Sequence, residues 1–337
     1  MTTWNGLEAR PGGLLHMCTA RRSTRWMARG LVVLALCSAC GCGSDPQTPS
    51  AGAPGESSGA EVPAVASTPP LLTPPPVANT ENVESASIHA EEITYEVDGK
   101  RFQGYLAYDD HHQEPRPGVL VVHEWWGHTE YARKRARMLA EMGYVALALD
   151  MFGEGKVANH PTDAKAYTAE VLADVASSEQ RFVTAAELLR NHPRVDGTQL
   201  AAIGYCFGGG VVLHAARRDL AGLRAVASFH GGLDSLHKPE PGSVKAKIVV
   251  FTGDADPMVP PDAVAAFESE MQEAQADVRI VHFANAKHSF TNPEASALGE
   301  KFNMPLQYDA AADAESWAEL ERFFGTVFAA PGEVASE

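Results

Sequence analysis

Positive charge is in short supply. The chain of 337 residues carries 27 Lys and Arg against 43 Asp and Glu, a formal net charge of −16 at pH 7. A surface of that sign repels phosphate backbones and anionic headgroups, which excludes nucleic acid and anionic lipid as electrostatic partners. A membrane-spanning run is also missing near the N-terminus. The most apolar stretch there, Gly30-Leu31-Val32-Val33-Leu34-Ala35-Leu36, falls well short of the about 20 residues that a spanning helix needs. Cysteine is rare and unevenly placed: of five, Cys18, Cys37, Cys40 and Cys42 precede Gly43, which leaves Cys206 alone in the remainder. A domain with one thiol forms no internal disulfide and has no resolving partner for a redox cycle. Cys37, Cys40 and Cys42 lack a fourth ligand nearby, so neither a metal nor a cofactor is expected.

What the N-terminus does contain is an export pattern. Arg21, Arg22, Arg25 and Arg29 precede the short apolar run, and small residues with the three cysteines follow it. A charged region, an apolar region and a small-residue cleavage site make a signal peptide, here residues 1–43. A cysteine directly after such a run resembles the lipobox of bacterial lipoproteins; Cys40, preceded by Ala39, is the first choice for lipidation and Cys42 the second. Residues 44–87 are rich in Pro, Ala, Ser, Thr and Gly, with Thr68-Pro69-Pro70 and Thr73-Pro74-Pro75-Pro76. Such a segment cannot bury enough apolar surface to offset its ordering entropy, so it reads as a tether, partly polyproline II. The expected setting is a bacterial cell envelope, with membrane association through the N-terminal lipid only.

From residue 88 to about 330 the pattern changes to alternating strands and helices. Ile88 to Val97, the turn Asp98-Gly99 and Phe102 to Tyr108 predict an antiparallel hairpin. Apolar runs at 118–122, 145–150 and 200–203 predict buried strands, and further strands are expected at 223–229, 248–251 and 278–283. The segments between them carry helical periodicity, including a capping box at Ser177 and Gln180 and a closing helix from Ala310 to Phe328. Strand and helix alternating in this way predict an α/β fold: a doubly wound, mostly parallel sheet with an N-terminal antiparallel hairpin.

One stretch organises the chemistry. Gly204-Tyr205-Cys206-Phe207-Gly208 follows a strand and opens a helix, the Gly-x-Ser-x-Gly elbow with cysteine as its nucleophile. Such turns also bind phosphate, and a single cysteine is often a small buried apolar group, so the motif alone leaves both readings open. Downstream residues favour catalysis. Asp256 and His288 follow strands in the order nucleophile, acid, histidine, with His288 as base and Asp256 as its orienting acid. Asp254 is the rival acid, with a turn-stabilising role as its other reading. The backbone N–H groups of Phe207 and Trp125 are the expected oxyanion donors.

Gly-Tyr-Cys-Phe-Gly-Gly, the His123-Glu124-Trp125-Trp126-Gly127 loop, Gly253-x-x-Asp256-x-x-x-Pro260 and Ala286-Lys287-His288-Ser289-Phe290 together resemble the dienelactone hydrolase family. The resemblance runs from about Glu91 to Phe328 and implies the α/β-hydrolase fold. It also implies a cysteine hydrolase acting on small esters or lactones through a thioacyl-enzyme, with Glu124 contacting Cys206 to activate the thiol. The family's two substrate-binding arginines are absent: Asn292 stands four residues after His288, and the segment from Pro161 to Tyr167 offers Lys165. Trp125, Trp126, Tyr167 and Phe290 are expected to form an aromatic, neutral pocket instead. The second reading is an envelope binding protein that keeps this fold without turnover. Oligomeric state is not legible.

Overall fold

The computed structural model describes residues 87–235 and 237–329. The leader 1–43 with its Cys40, and the tether through residue 86, lie outside the described residues. Eight strands form one sheet in the order β1-β2-β4-β3-β5-β6-β7-β8. β1 (Ile88–Val97) and β2 (Lys100–Asp109) make the antiparallel hairpin, and β2 pairs antiparallel with β4 (Val145–Leu149). β3 (Arg116–Val122), β5 (Val195–Tyr205), β6 (Ala225–Phe229), β7 (Lys247–Gly253) and β8 (Val278–Phe283) run parallel.

Side-chain alternation along the central strands sends the core to both faces of the sheet. Along β5, Leu200 and Ala202 face a layer built by Phe182, Leu189, Val212 and Phe267, while Ala201, Ile203 and Tyr205 face one built by Tyr131, Leu139, Leu320 and Phe324. The first layer belongs to α3 (Val175–Arg190), α4 (Phe207–Arg217) and α5 (Pro261–Glu273). The second belongs to α1 (Glu130–Glu141) and α7 (Ala310–Phe328). Helices on both faces leave the carboxyl ends of β3, β5 and β7 as the shared edge at which loops meet.

One local expectation needs correcting, and one helix was not foreseen. The second helix of the 162–190 region does not start from a Ser177 capping box: α2 (Pro161–Ala173) stops at Asp174, whose carboxylate accepts from Ser177 N and caps α3. A carboxylate serves a helix N-terminus as well as a hydroxyl does, and it sits one turn earlier than the sequence pattern suggests. A short helix, α6 (Ala295–Phe302), follows the histidine loop. It is eight residues long, too short for its apolar period to be read beforehand although Ala295, Leu298 and Phe302 share one apolar cluster.

Candidate active site

The strand-to-helix elbow is built by steric necessity. Cys206 sits between β5 and α4 with φ 52° and ψ −114°, a conformation that L-residues rarely hold. A β-carbon on Gly204 would lie 2.1 Å from the Gly208 carbonyl oxygen, and one on Gly208 would lie 2.3 Å from the Val122 oxygen. The chain therefore doubles back only because both positions are glycine. Cys206 N donates to Phe229 O at 3.0 Å, which pins the elbow to the end of β6. The sulfur then stands at the N-cap of α4, whose first-turn N–H groups have no intrahelical acceptor and stabilise negative charge.

The other residues reach the sulfur from strand ends. His288 Nε2 lies 3.1 Å from Cys206 Sγ, and His288 Nδ1 donates to Asp256 Oδ2 at 2.8 Å. Asp256 and His288 are both buried. The second Asp256 oxygen accepts from Met258 N at 2.7 Å, so the carboxylate is fixed before it meets the imidazole. Burial alone would lower the His288 pKa. The coulombic interaction with Cys206, with the hydrogen bonds His288 makes to Asp256 and Cys206, outweighs that and raises it to about 10. The rival acid is spent elsewhere: Asp254 is exposed and pairs with His282 at 2.7 Å.

Glu124 departs from the contact that the resemblance implies. Its Oε1 accepts from Ser289 Oγ at 2.8 Å and its Oε2 from Asn292 Nδ2 at 2.6 Å. Both carboxylate oxygens are taken up by these neutral donors, and no hydrogen bond joins Glu124 to Cys206 among the described residues. Burial raises its pKa, against the lowering effect of both hydrogen bonds. The sequence marked Asn292 only as a missing arginine and Ser289 only as part of a motif; their role as donors to Glu124 was not read, and the clue was their place one and four residues after His288.

His230 was passed over as well. Its ring packs edge-on to His288 at 5.4 Å between centroids, and its Nε2 meets Thr291 Oγ1 at 2.7 Å. Burial holds its pKa well below the usual histidine value, so a neutral imidazole backs His288.

A cavity of about 510 Å³ opens at Cys206 and His288, with Trp125 and Phe207 in its wall. Three residues expected in the pocket line other places. Trp126 is buried under the loop, stacked on Phe302 at 6.0 Å. Tyr167 turns to Phe152 at 5.6 Å, and its neighbour Thr168 faces the cavity instead. Phe290 is fully buried against Phe283 and His230, in the core behind the histidine. Aromatic side chains fit the core better than an open cleft when the backbone turns them inward, and Ser289 at φ 59° makes that turn before Phe290.

The dienelactone hydrolase family profile matches residues 102–328. The chain belongs to the dienelactone hydrolase family. A dienelactone hydrolase-like promiscuous phosphotriesterase from metagenomic libraries superposes with a TM-score of 0.65 at 32% identity, covering 72% of this chain and 99% of that one. The solved structure named m3DLH gives 0.66 at 34% identity with the same coverage. An uncharacterised Caenorhabditis elegans protein is 36% identical over 150 residues, 44% of this chain and 93% of its own length. The dienelactone hydrolase match makes this chain a hydrolase of that family, and the fold is the α/β-hydrolase sheet.

Proposed function

We propose that the protein hydrolyses small uncharged esters or lactones through Cys206, with His288 and Asp256 completing the triad. The observation that carries this reading is the continuous chain from Asp256 Oδ2 through both nitrogens of His288 to Cys206 Sγ. In the reaction the sulfur, as thiolate, attacks the carbonyl carbon, and the carbonyl electron pair moves onto oxygen beside the N–H groups of Phe207 and Trp125. Collapse breaks the C–O bond, and the leaving alkoxide takes its proton from the His288 imidazolium. Neutral His288 next takes a proton from water as that water attacks the thioester. The C–S bond breaks, thiolate returns, and the acid departs. Glu124 serves here as a positioning residue for the His288 loop, since Ser289 and Asn292 hold its carboxylate.

The complete triad and the family membership favour this reading over a binding protein without turnover. Intact mass after acid quench with an activated ester should show one acyl group on the wild-type chain. Cys206→Ala should lose both the adduct and turnover, and Cys206→Ser should keep a weaker activity. Unchanged turnover in Cys206→Ala would remove the cysteine mechanism.

We further propose that Cys40 is lipidated and that residues 44–87 tether the hydrolase domain to a bacterial envelope membrane. The leader's charge pattern and the composition of the tether support it. Labelled fatty acid should enter the full chain, and Cys40→Ala should abolish incorporation; incorporation that survives it while Cys42→Ala stops it would move the site to Cys42.

A further inference from the structure

The cavity at Cys206 is larger and longer than a small acyl group requires. At about 510 Å³ it falls in the range of pockets that hold a drug-sized ligand. One wall is a single stripe of α4: Phe207, Gly210, Val211, His214 and Ala215 all line it. Their spacing of three and four residues places them on one helix face, and the nine-residue stripe, eight rises of 1.5 Å, extends about 12 Å along the helix from the sulfur. The facing wall comes from the junction of α2 and α3, with Val171, Leu172, Val175 and Phe182. Apolar side chains thus face each other along the length of the stripe.

Three further observations bear on what fits. Five large apolar side chains are exposed among the described residues, and three of them, Leu172 at 61%, Met258 at 48% and Val175 at 39%, border this cavity. An apolar rim of that kind marks a surface that an apolar ligand covers. No Arg or Lys lines the cavity among the described residues, whereas Glu179 and Asp234 do. At the far end Glu179 already accepts from His214 Nε2 at 2.9 Å and Arg218 Nε at 3.0 Å, so its charge is met within the protein. A substrate carboxylate would find no counter-charge there.

The sheet order fixes which half of an ester enters. His288 and Asp256 follow β8 and β7, on one side of β5, and the leaving oxygen must face His288 Nε2. The helices α2 and α3 connect β4 to β5, on the other side. Resting on the hydrolase reading above, we propose that the groove between α4 and the α2–α3 junction is an acyl-chain channel, selecting neutral esters with an extended unbranched apolar acyl group. The stripe from Phe207 to Ala215 measures the chain, and Leu172, Val175 and Met258 cover its outer edge.

The test uses the full chain with two ester series. For p-nitrophenyl acetate, butyrate, hexanoate and octanoate, kcat/KM should rise by up to about fourfold per added methylene, the limit set by transfer of a CH₂ from water. For alkyl acetates of increasing alcohol length it should stay nearly flat. Val211→Trp fills the stripe midway and should lower the octanoate-to-acetate ratio of kcat/KM at least about tenfold, since a blocked pocket loses the transfer gain of several methylenes. Leu172→Asp, at an exposed position that folding tolerates, should lower the same ratio severalfold. A flat acyl profile, or a ratio unchanged in both variants, overturns the channel while leaving a working hydrolase. Length dependence confined to the alcohol series overturns the acyl assignment. No turnover of any ester in either series overturns the hydrolase reading, and the channel with it.

Discussion

Asn292 Nδ2 donates to Glu124 Oε2 at 2.6 Å, so a neutral amide satisfies one oxygen of this buried carboxylate. Ser289 Oγ supplies the other oxygen. The acceptor belongs to the loop after β3 and both donors follow His288, so one side chain ties that loop to the histidine loop. Glu124→Ala should leave two buried donors without a partner and cost about 3 kcal/mol in urea unfolding. Glu124→Gln keeps an acceptor oxygen and should lose less than half of that. Should Glu124→Gln keep its stability yet slow Cys206 alkylation tenfold, the carboxylate acts on the thiol directly and not through the loop.

Asp256 should matter to rate and to pH together. With the His288 pKa raised to about 10, the imidazolium that protonates the leaving group persists through neutral pH and is lost as pH rises through that value. The pH profile of kcat/KM should therefore hold its alkaline side until near pH 10. Asp256→Asn removes one of the groups that raise the pKa, so the alkaline limb should move to lower pH. Turnover should fall by about 10²- to 10⁴-fold, since the imidazole loses its orienting charge.

Gly204→Ala forces a β-carbon to within 2.1 Å of the Gly208 oxygen. The neighbour is backbone in a strained turn and cannot step aside, so destabilisation above about 3 kcal/mol is expected. Gly325→Ala is the contrasting control: nothing lies within 4 Å of its added carbon in α7, and helix propensity should stabilise it by up to about 1 kcal/mol. Thermal or urea unfolding of the two variants gives the comparison.

Acid should destabilise the fold through His123. It is fully buried, donates from Nδ1 to Glu124 O at 2.6 Å and accepts at Nε2 from Met151 N at 3.1 Å, roles that only a neutral ring fills together. Burial lowers its pKa to about 4, although Asp150 opposes the shift. The unfolded chain binds this proton near pH 6.5 and the folded chain near 4. Stability is therefore complete above 6.5 and falls between the two values, by about 3 kcal/mol in full. Glu124, with its pKa raised by burial, has the opposite sign: its contribution is present below 4.5 and declines as pH rises. Urea unfolding at pH 7 and pH 5 should show the loss, and His123→Gln, which keeps a donor and an acceptor, should reduce the difference.

Strands and helices were largely legible because each buried strand is a continuous apolar run and each long helix an apolar stripe, as in β4 and α3. The order Cys206, Asp256, His288 was legible because strand ends in a parallel sheet share one edge. The pocket was not. Trp126 and Phe290 look like cleft aromatics in the sequence, yet the loop turn at Gly127 and the positive φ of Ser289 direct them inward. The wall that does line the cavity is spread over α2, α3 and α4. Its members are ordinary core residues by periodicity, and only the packing of two helices at a distance leaves a gap between them. Glu124 was legible as a site residue but not its partners, since Ser289 and Asn292 are common loop residues until their donors are seen to converge.

The sheet order described above also bears on how activity returns when the denatured chain is allowed to refold. Glu124, Cys206, Asp256 and His288 hang from β3, β5, β7 and the segment beyond β8, joined by parallel pairings distant in sequence. Such non-local contacts form late, because each must first offset the entropy of closing its connection. Ester turnover should consequently reappear after the far-ultraviolet signal of the helices, and with the docking of β7 and β8 onto the sheet. Catalysis thereby serves as a clock for the last stage of assembly.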